Sequence, residues 1–155
     1  MAVCAVSLGS NVGDRRAHLN FAVAALRGLL ANLAVSRYYE TVPVGVSGPQ
    51  AMFLNAAAVG QTSLTPRAVL EALLAIEHER GRERPYARAP RTLDLDLILL
   101  GDVVMEEADL IVPHPRFRER RFVLEPLAEI APDLRDPATG SPISALLSRL
   151  AGTAT

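Results

Sequence analysis

Apolar positions recur along this chain with two different periods, and their alternation predicts a mixed α and β structure. Short apolar runs bounded by Gly, Pro, Ser or Asn are typical of buried strands, whereas apolar residues at steps of three and four are typical of helices. Thr65 and Pro66 form a typical helix start, because Thr caps the first turn and Pro suits the first helical position. In chain order, the pattern predicts a strand over 2–8, a helix from Asp14 to about Leu30, strands over 33–41 and 52–62, a helix from Thr65 to near Gly81, a strand from Thr92 to Leu100, and helices over 123–130 and 143–150.

This order, β-α-β-β-α-β followed by a helical tail, predicts the ferredoxin-like split βαβ fold of the α+β class. We expect a mostly antiparallel sheet with the helices packed on one of its faces. Residues 82–91 are polar and interrupted by prolines, so they are expected to form a loop, and residues 111–118 are expected to be irregular. The length of 155 residues fits a single domain over residues 1–155.

Composition and charge exclude several classes of function. Half of the residues are hydrophobic and the formal net charge is -1, so neither disorder nor a general attraction to nucleic acid or anionic membrane is expected. All 16 basic residues are arginine, and the absence of lysine excludes a P-loop phosphate site and Schiff-base chemistry. The single cysteine, Cys4, precludes an internal disulfide, and no targeting segment or membrane span is visible. We therefore expect a cytoplasmic protein, and we expect it to act as a monomer.

The strongest chemical signal is the pair Asp94 and Asp96 in the sequence R-T-L-D-L-D. In a strand these two side chains share one face, with Cα atoms roughly 7 Å apart, so both carboxylates can converge on one point. Oxygen ligands of this kind suit Mg²⁺ that also binds substrate phosphates. A bare D-x-D pattern is frequent by chance, so a solvated face with an Asp–Arg pair is the competing interpretation.

Arginines crowd two further segments, one just before the acid pair and one after it. Arginine offers planar, bidentate donors that match phosphate oxygens, so both segments suggest a nucleoside triphosphate beside Mg²⁺. Solvated surface charge or an RNA-binding patch is the alternative, although few aromatic residues are interleaved for base stacking. The arginines are Arg80, Arg82, Arg84, Arg88 and Arg91 in the first segment, and Arg116, Arg118, Arg120 and Arg121 in the second.

Four other residues have chemistry that the pattern alone leaves open. Asn55 lies in an apolar run, where its amide can read the edge of a flat heterocycle stacked on Phe53, or can be a core amide satisfied by backbone. Glu77 borders the apolar helix face and can accept from a ribose hydroxyl, hold an arginine, or be a surface acid. His114 has a proline on either side and can donate to a phosphate, transfer a proton, or be an ordinary turn residue.

Short motifs follow one another in a characteristic order and spacing from residue 8 to residue 132. The most specific are R-T-L-D-L-D at 91–96 and P-H-P at 113–115. The others are Leu8-Gly9-Ser10-Asn11, Tyr39-Glu40-Thr41 with Pro43 and Gly45, Phe53-Leu54-Asn55, Glu77 with Gly81-Arg82 and Arg84, and Arg120-Arg121-Phe122-Val123-Leu124 running to Glu129-Ile130-Ala131-Pro132. Together these motifs closely resemble those of the 6-hydroxymethyl-7,8-dihydropterin pyrophosphokinase family of folate biosynthesis.

The resemblance implies the ferredoxin-like fold and the transfer of pyrophosphate from ATP to the hydroxymethyl group of 6-hydroxymethyl-7,8-dihydropterin, with release of AMP. It implies ATP as co-substrate and two Mg²⁺ ions as cofactors, held by the metal ligands Asp94 and Asp96. The implied pterin-binding residues are Thr41, Pro43, Val44, Phe53, Asn55 and Phe122, with the pterin stacked between the two phenylalanines. The implied ATP contacts are Glu77, Arg84, Arg91, His114 and Arg120, and the implied catalytic residues are Arg82, Arg91, Asp94 and Asp96, with Arg82 and Arg84 in a loop that closes over the substrates.

One departure from the family and three alternatives bear on this interpretation. Many members have Trp-Gly before Pro-Arg, whereas this chain has Tyr86-Ala87-Arg88-Ala89-Pro90, so the contacts of that loop are expected to differ. A non-catalytic ferredoxin-like ligand-binding module is the main alternative, and it predicts no Mg²⁺-dependent ATP binding. An RNA-binding domain predicts RNA affinity that falls steeply with salt. An inactive relative would lack residues of the core motifs, and none of them has been lost.

Overall fold

The computed structural model describes residues 1–42, 52–81 and 92–153, and it contains the split βαβ order expected from the sequence. The helix starts follow the predicted local chemistry: the side chain of Asp14 accepts from the backbone N–H of Ala17, and that of Thr65 accepts from the N–H of Ala68, both at 3.1 Å. The strands are β1 (Ala2–Ser10), β2 (Ala31–Val35), β3 (Tyr39–Thr41), β4 (Phe53–Thr62), β5 (Asp94–Leu100), β6 (Met105–Glu107) and β7 (Leu110–Val112). The helices are α1 (Arg15–Leu29), α2 (Pro66–Arg80), α3 (Arg121–Ile130) and α4 (Ile143–Thr153), with a short 3-10 helix at Phe117–Glu119.

The main sheet is antiparallel, with the strand order β2-β4-β1-β5 and with β3 also paired to β4. This is the ferredoxin-like order, and it puts β1 at the centre between β4 and β5. The prediction of one strand over 33–41 was wrong, because β2 and β3 pair with different parts of β4 and are separated by three residues. The prediction of an irregular segment over 111–118 was wrong at its ends, since β7 pairs with β6 in a separate hairpin and Phe117 begins the 3-10 helix.

Helices cover both faces of the main sheet. On one face α1 and α2 pack against Leu8 of β1 and Leu95 of β5, and on the other face α3 and α4 pack against Ala5 of β1 and Ala57 of β4. The prediction of helices on a single face was therefore wrong. The physical reason is that the tail helices have apolar faces of their own to bury, contributed by Val123, Leu124, Leu127, Ile143 and Leu146.

The pairing of β1 with β5 contains a bulge, which lies between the acid pair and the last residues of β5. Val6 pairs with Leu97 and Ala5 pairs with Leu99, so one extra residue of β5 is inserted between them. As a result Leu100 faces α1 and α2 and Ile98 faces α3 and α4, although strict alternation along β5 would put both on one face. The acid pair precedes the bulge, so the regular alternation of side chains holds where the acids lie.

The interior of β1 contains the single cysteine of the chain. Cys4 is fully buried, and burial raises the pKa of its thiol to about 12, as expected of a small core residue.

Within the three described ranges, no helix combines the length and apolar character that crossing a bilayer requires.

Two glycines in this fold give opposite expectations for stability. A Cβ at Gly60 in β4 would lie 2.7 Å from Leu30 Cβ and 3.0 Å from the Ala31 carbonyl oxygen, so we expect Gly60→Ala to destabilise the protein by about 1–3 kcal/mol. At Gly28 in α1 nothing lies within 4 Å of the Cβ position, so we expect Gly28→Ala to stabilise by about 0.5–1 kcal/mol. Urea denaturation measures both free energies of unfolding. Similar values for the two variants would contradict the close approach of Leu30 to β4.

Candidate active site

A cavity of about 950 Å³ opens over the carboxyl end of β1, on the face of the sheet that α3 and α4 cover further along. Side chains of β3, β4, β1 and β5 form its floor, and the chain from Arg116 to Pro126 together with Leu150 forms a wall. The volume suits a small-molecule ligand. Among the described residues, seven to which the family resemblance assigns a role line the cavity, namely Thr41, Phe53, Asn55, Asp94, Asp96, Arg120 and Phe122.

The strand register brings the predicted amide and the predicted acids into adjoining rows. Gly9 of β1 pairs with Asn55 of β4 on one side and with Asp94 of β5 on the other, and Ser7 pairs with Asp96. Because neighbouring strands lie about 4.8 Å apart, the backbone of Asn55 lies about 10 Å from that of Asp94. The amide and the acids thus face one cavity from opposite sides of a glycine.

Asn55 is held in one orientation at the cavity floor. Its side chain belongs to a residue that is 4% exposed, and its Oδ1 accepts a hydrogen bond from the hydroxyl of Thr41 on β3. Its amide nitrogen lies over Gly9, 3.0 Å from the position that a Cβ there would take. Because the carbonyl oxygen of the amide accepts from Thr41, the Nδ2 group is the end of the side chain that is available to donate to a ligand.

Two phenylalanines border the cavity from different elements. Phe53 begins β4 and pairs with Thr41, whereas Phe122 lies in the first turn of α3. The guanidinium of Arg120 lies over the Phe122 ring, 5.6 Å from its centroid. The structure therefore places the two predicted aromatic faces in the lining of the same cavity.

Asp94 and Asp96 point into the cavity from one face of β5, as predicted, while Leu95 and Leu97 point into the core. Their oxygen-only donor set fits a hard divalent cation such as Mg²⁺. In the part of the chain that the structure describes, no group of three or more His, Cys, Asp and Glu side chains is placed to hold a metal ion. A cation bound by this acid pair therefore also takes ligands from water or substrate, which is the usual arrangement for Mg²⁺ with phosphates.

The second arginine segment divides between the cavity and the interior. Arg116, Arg120 and Arg121 line the cavity. Arg121 pairs with Glu125 at 2.9 Å, whereas Arg116 and Arg120 are placed to donate to anionic oxygens of a ligand. Arg118 does not line it, because its guanidinium pairs with the buried carboxylate of Asp136. Of the first segment, Arg80 is described, and its Nε donates to His18 Nδ1 at 2.9 Å.

Glu77 lies outside the cavity lining, at the end of α2. Its Oε2 accepts from the backbone N–H of Leu95 at 2.6 Å, so it binds β5 at the residue between Asp94 and Asp96. The contact of Glu77 with ATP that the family resemblance implies stays a prediction.

His114 lies beside the cavity, with its backbone N–H bonded to the Ile98 carbonyl at 2.9 Å. Its Nδ1 accepts from the backbone N–H of Arg116 at 3.2 Å, which leaves Nε2 as the protonated nitrogen of the neutral ring. Burial lowers the pKa of His114, Asp96 opposes that shift, and Arg120 and Arg116 add to it. The neutral imidazole can therefore donate one hydrogen bond from Nε2, as the predicted phosphate contact requires.

Several residues with a predicted role lie outside the described residues, and one residue that lines the cavity, Gly9, had no predicted role. Pro43, Val44, Arg82, Arg84 and Arg91, like Tyr86 and Arg88, lie outside the described residues, so the roles inferred for them stay predictions. The sequence predicted a strand that ends at residue 8, whereas β1 continues to Ser10 and Gly9 lines the cavity. A glycine inside a strand often marks a close approach of another group, and this is the signal that could have found it.

Fold and cavity together define a ferredoxin-like α+β protein whose site combines a fixed amide, an acid pair and arginines. Residues 5–132 match the family model of 7,8-dihydro-6-hydroxymethylpterin-pyrophosphokinase (HPPK). The chain is 47% identical over 138 residues to the 2-amino-4-hydroxy-6-hydroxymethyldihydropteridine pyrophosphokinase of Bacillus subtilis, covering 88% of this chain and 82% of that protein. It is 43% identical over 134 residues to the enzyme of the same name from Pseudomonas aeruginosa, covering 85% and 82%. The chain belongs to the HPPK family.

Solved structures agree on the fold. The wild-type Plasmodium falciparum HPPK-DHPS structure superposes with a TM-score of 0.75 at 15% identity, over 96% of this chain and 44% of that one. An HPPK-DHPS complex with substrates gives a TM-score of 0.78 at 14% identity, over 98% and 44%. The chain spans less than half the length of these solved chains, and at this identity the likeness concerns the fold alone.

We expect the contact between Gly9 and Asn55 to be measurable without any ligand. A Cβ at Gly9 meets an amide that Thr41 holds in position, so Gly9→Ala should destabilise the protein by about 1–3 kcal/mol. In an Asn55→Ala background the contact is gone, and the same change should cost at least about 0.5 kcal/mol less. Urea denaturation of the four proteins in this cycle gives the coupling. Additive effects would show that the amide moves aside freely.

Proposed function

We propose that this chain catalyses the Mg²⁺-dependent transfer of pyrophosphate from ATP to 6-hydroxymethyl-7,8-dihydropterin in folate biosynthesis. The observation that carries the proposal is the register of β4, β1 and β5, which sets Asn55 and the acids Asp94 and Asp96 on the floor of one cavity. A site for a flat heterocycle thereby adjoins a site for phosphates. Membership of the HPPK family and the enzyme name borne by its curated relatives support the same reaction.

The pterin lies on the β4 side of the cavity in this proposal. Asn55 Nδ2 donates to an acceptor on the heterocycle edge while Thr41 holds the amide, and Phe53 and Phe122 offer their ring faces for stacking. A rigid amide gives selectivity, because a ligand without the matching acceptor leaves a buried donor unpaired. Pro43 and Val44 complete this pocket according to the family resemblance.

The nucleotide lies on the β5 side, where the cavity is charged. Arg116 and Arg120 line the wall near His114, which contributes its Nε2–H next to Asp96. The backbone N–H of Arg116 holds the His114 ring, so its Nε2–H is oriented before ATP arrives and can stabilise phosphate charge without reorganising. From the resemblance, Glu77, Arg84 and Arg91 make further contacts with ATP.

The transfer moves a β,γ-diphosphate group between two oxygens. The pterin hydroxyl oxygen forms a bond to the β-phosphorus, the bond from that phosphorus to the α,β-bridging oxygen breaks, the hydroxyl proton is lost and AMP leaves. Bound Mg²⁺, two ions according to the resemblance, neutralises charge on the transferred phosphates. Asp94 and Asp96 would hold the Mg²⁺, the arginines stabilise the developing negative charge, and the cavity aligns the two substrates. The family resemblance assigns Arg82 and Arg91 to catalysis and implies that the loop with Arg82 and Arg84 closes over the substrates to exclude water.

We propose that one chain, acting as a single domain and a monomer in the cytoplasm, forms the whole site. The formal net charge of -1 gives no general attraction to nucleic acid or membrane. If one chain forms the whole site, sedimentation of the protein with both substrates should give the mass of one chain.

The main alternative, a non-catalytic ligand-binding module, would need neither the acid pair nor cavity-facing arginines.

The experiment that tests this function is a product assay. Purified protein receives ATP, Mg²⁺ and 6-hydroxymethyl-7,8-dihydropterin, and AMP, ADP and pterin diphosphate are separated and quantified. We expect one AMP for each pterin diphosphate, no ADP, and no turnover after the Mg²⁺ is chelated. ADP as the nucleotide product, or no AMP that depends on pterin, would overturn the proposal.

Substitutions on the two sides of Gly9 should have different kinetic consequences. Asp96→Asn removes a charge that is required in the transition state, so we expect kcat to fall by about 10²–10³-fold. Asn55→Ala removes a ligand hydrogen bond, so KM for the pterin should rise about tenfold or more while affinity for ATP is unchanged. Steady-state kinetics with each substrate varied in turn separates these effects. An equal loss of affinity for both substrates in Asn55→Ala would remove Asn55 from the pterin site.

A further inference from the structure

Arg118 differs from the other arginines of its segment in the direction of its side chain. Arg116 and Arg120, two residues before and after it, line the cavity. The guanidinium of Arg118 instead donates from Nε and Nη2 to the two carboxylate oxygens of Asp136, at 2.5 and 3.0 Å. The pair is bidentate, the arrangement of arginine and carboxylate that fixes geometry most strongly.

The carboxylate of Asp136 is buried and accepts further hydrogen bonds that hold it in position for Arg118. It is 0% exposed, and besides Arg118 it accepts from the backbone N–H of Ala138 at 3.0 Å and from the hydroxyl of Thr139 at 2.8 Å. Burial raises the pKa of its carboxyl, but the hydrogen bonds outweigh burial and the pKa lies below its usual value, so the group is ionised. Its own backbone closes a turn, donating to the Ser141 carbonyl and accepting from Gly140 N–H.

The stability of the fold alone does not account for this pair. A buried ion pair loses the hydration of both charges, and well-packed apolar residues in its place are often equally stable or more stable. What the pair does provide is a fixed point for the backbone between His114 and Arg120. At one end that segment is bonded through His114 to β5, and at the other it leads into the first turn of α3, while Phe117 is buried in the core.

We propose that Asp136 is a positioning residue for nucleotide binding, because through Arg118 it holds the 3-10 helix so that Arg116 and Arg120 face the phosphate side of the cavity. The inference rests on the function proposed above. Breaking the pair leaves both cavity arginines in the chain but releases their backbone, so the loss falls on nucleotide affinity. On the pterin side Thr41, Phe53 and Asn55 belong to β3 and β4, and Phe122 belongs to the wall, so the pterin loses less affinity than the nucleotide.

Two variants of the pair and one control make the test. Asp136→Asn keeps the shape of the side chain and removes its charge. The double variant Arg118→Met/Asp136→Leu replaces the ion pair by apolar side chains and guards against a loss of folding. The control is Asp109→Asn, the same substitution in a bidentate pair with Arg67, at 2.7 and 3.0 Å, whose carboxylate side chain is 69% exposed and does not line the cavity.

Calorimetry with Mg²⁺ and a non-hydrolysable ATP analogue measures the affinity, thermal unfolding measures stability, and kinetics at saturating ATP give KM for the pterin. We expect Asp136→Asn to weaken nucleotide binding about tenfold, equivalent to about 1.4 kcal/mol, with a smaller rise in KM for the pterin. The double variant should unfold at or above the wild-type temperature and still bind nucleotide weakly. Asp109→Asn should bind nucleotide as the wild type does.

The outcomes separate this inference from the function on which it rests. Wild-type nucleotide affinity in Asp136→Asn, or in a stable double variant, overturns the positioning role while the wild-type enzyme still forms AMP. Equal losses of nucleotide and pterin affinity also overturn it, because they indicate a general structural defect. A wild-type protein that neither binds the analogue nor forms AMP overturns the proposed function itself, together with the inference.

Discussion

The pairing of β1 with β4 on one side and β5 on the other is the constraint on which the rest of this structure depends. It sets Asn55 and Asp94 on either side of Gly9, two strand spacings apart. Because the side chains of a strand alternate, the same pairing sends Leu8 and Leu95 into the core beneath α1 and α2. A slip of one residue would bury the acids and expose the leucines, so burial of the apolar face also specifies the register of the site.

The floor of the cavity is held by strand pairing, whereas the position of its wall depends on side-chain contacts. The floor consists of paired strands, whereas the wall contains the arginines and Phe122 and belongs to the 3-10 helix and α3. Side-chain contacts connect the two: Tyr39 of β3 donates to Glu129 of α3 at 2.5 Å, and Arg37 donates to the same carboxylate. Such exposed contacts are individually weak, so their effect is chiefly to define geometry. The buried Arg118–Asp136 pair acts on the same wall from its other side.

Most of the architecture could be predicted from the sequence, and the failures have physical causes. The Thr65 cap and the alternation around Asp94 and Asp96 are local effects, and both were confirmed. The bulge that turns Leu100 to the other face arises from the pairing of β5 with β1, which a single strand pattern does not contain. Arg118 resembled its neighbours in sequence, because its partner Asp136 is 18 residues away and only folding brings them together.

The sequence by itself determined the α+β class, the main helices and strands, the face shared by the two acids, and the motifs that relate this chain to the HPPK family. These features depend on residue type and on spacing along the chain. The tertiary structure decided that helices cover both faces, that Gly9 leaves room for the amide of Asn55, and that three arginines of the second segment face the cavity while Arg118 faces Asp136. Each of these depends on which distant segments pack together, and that is settled by burial and strand pairing across the whole chain.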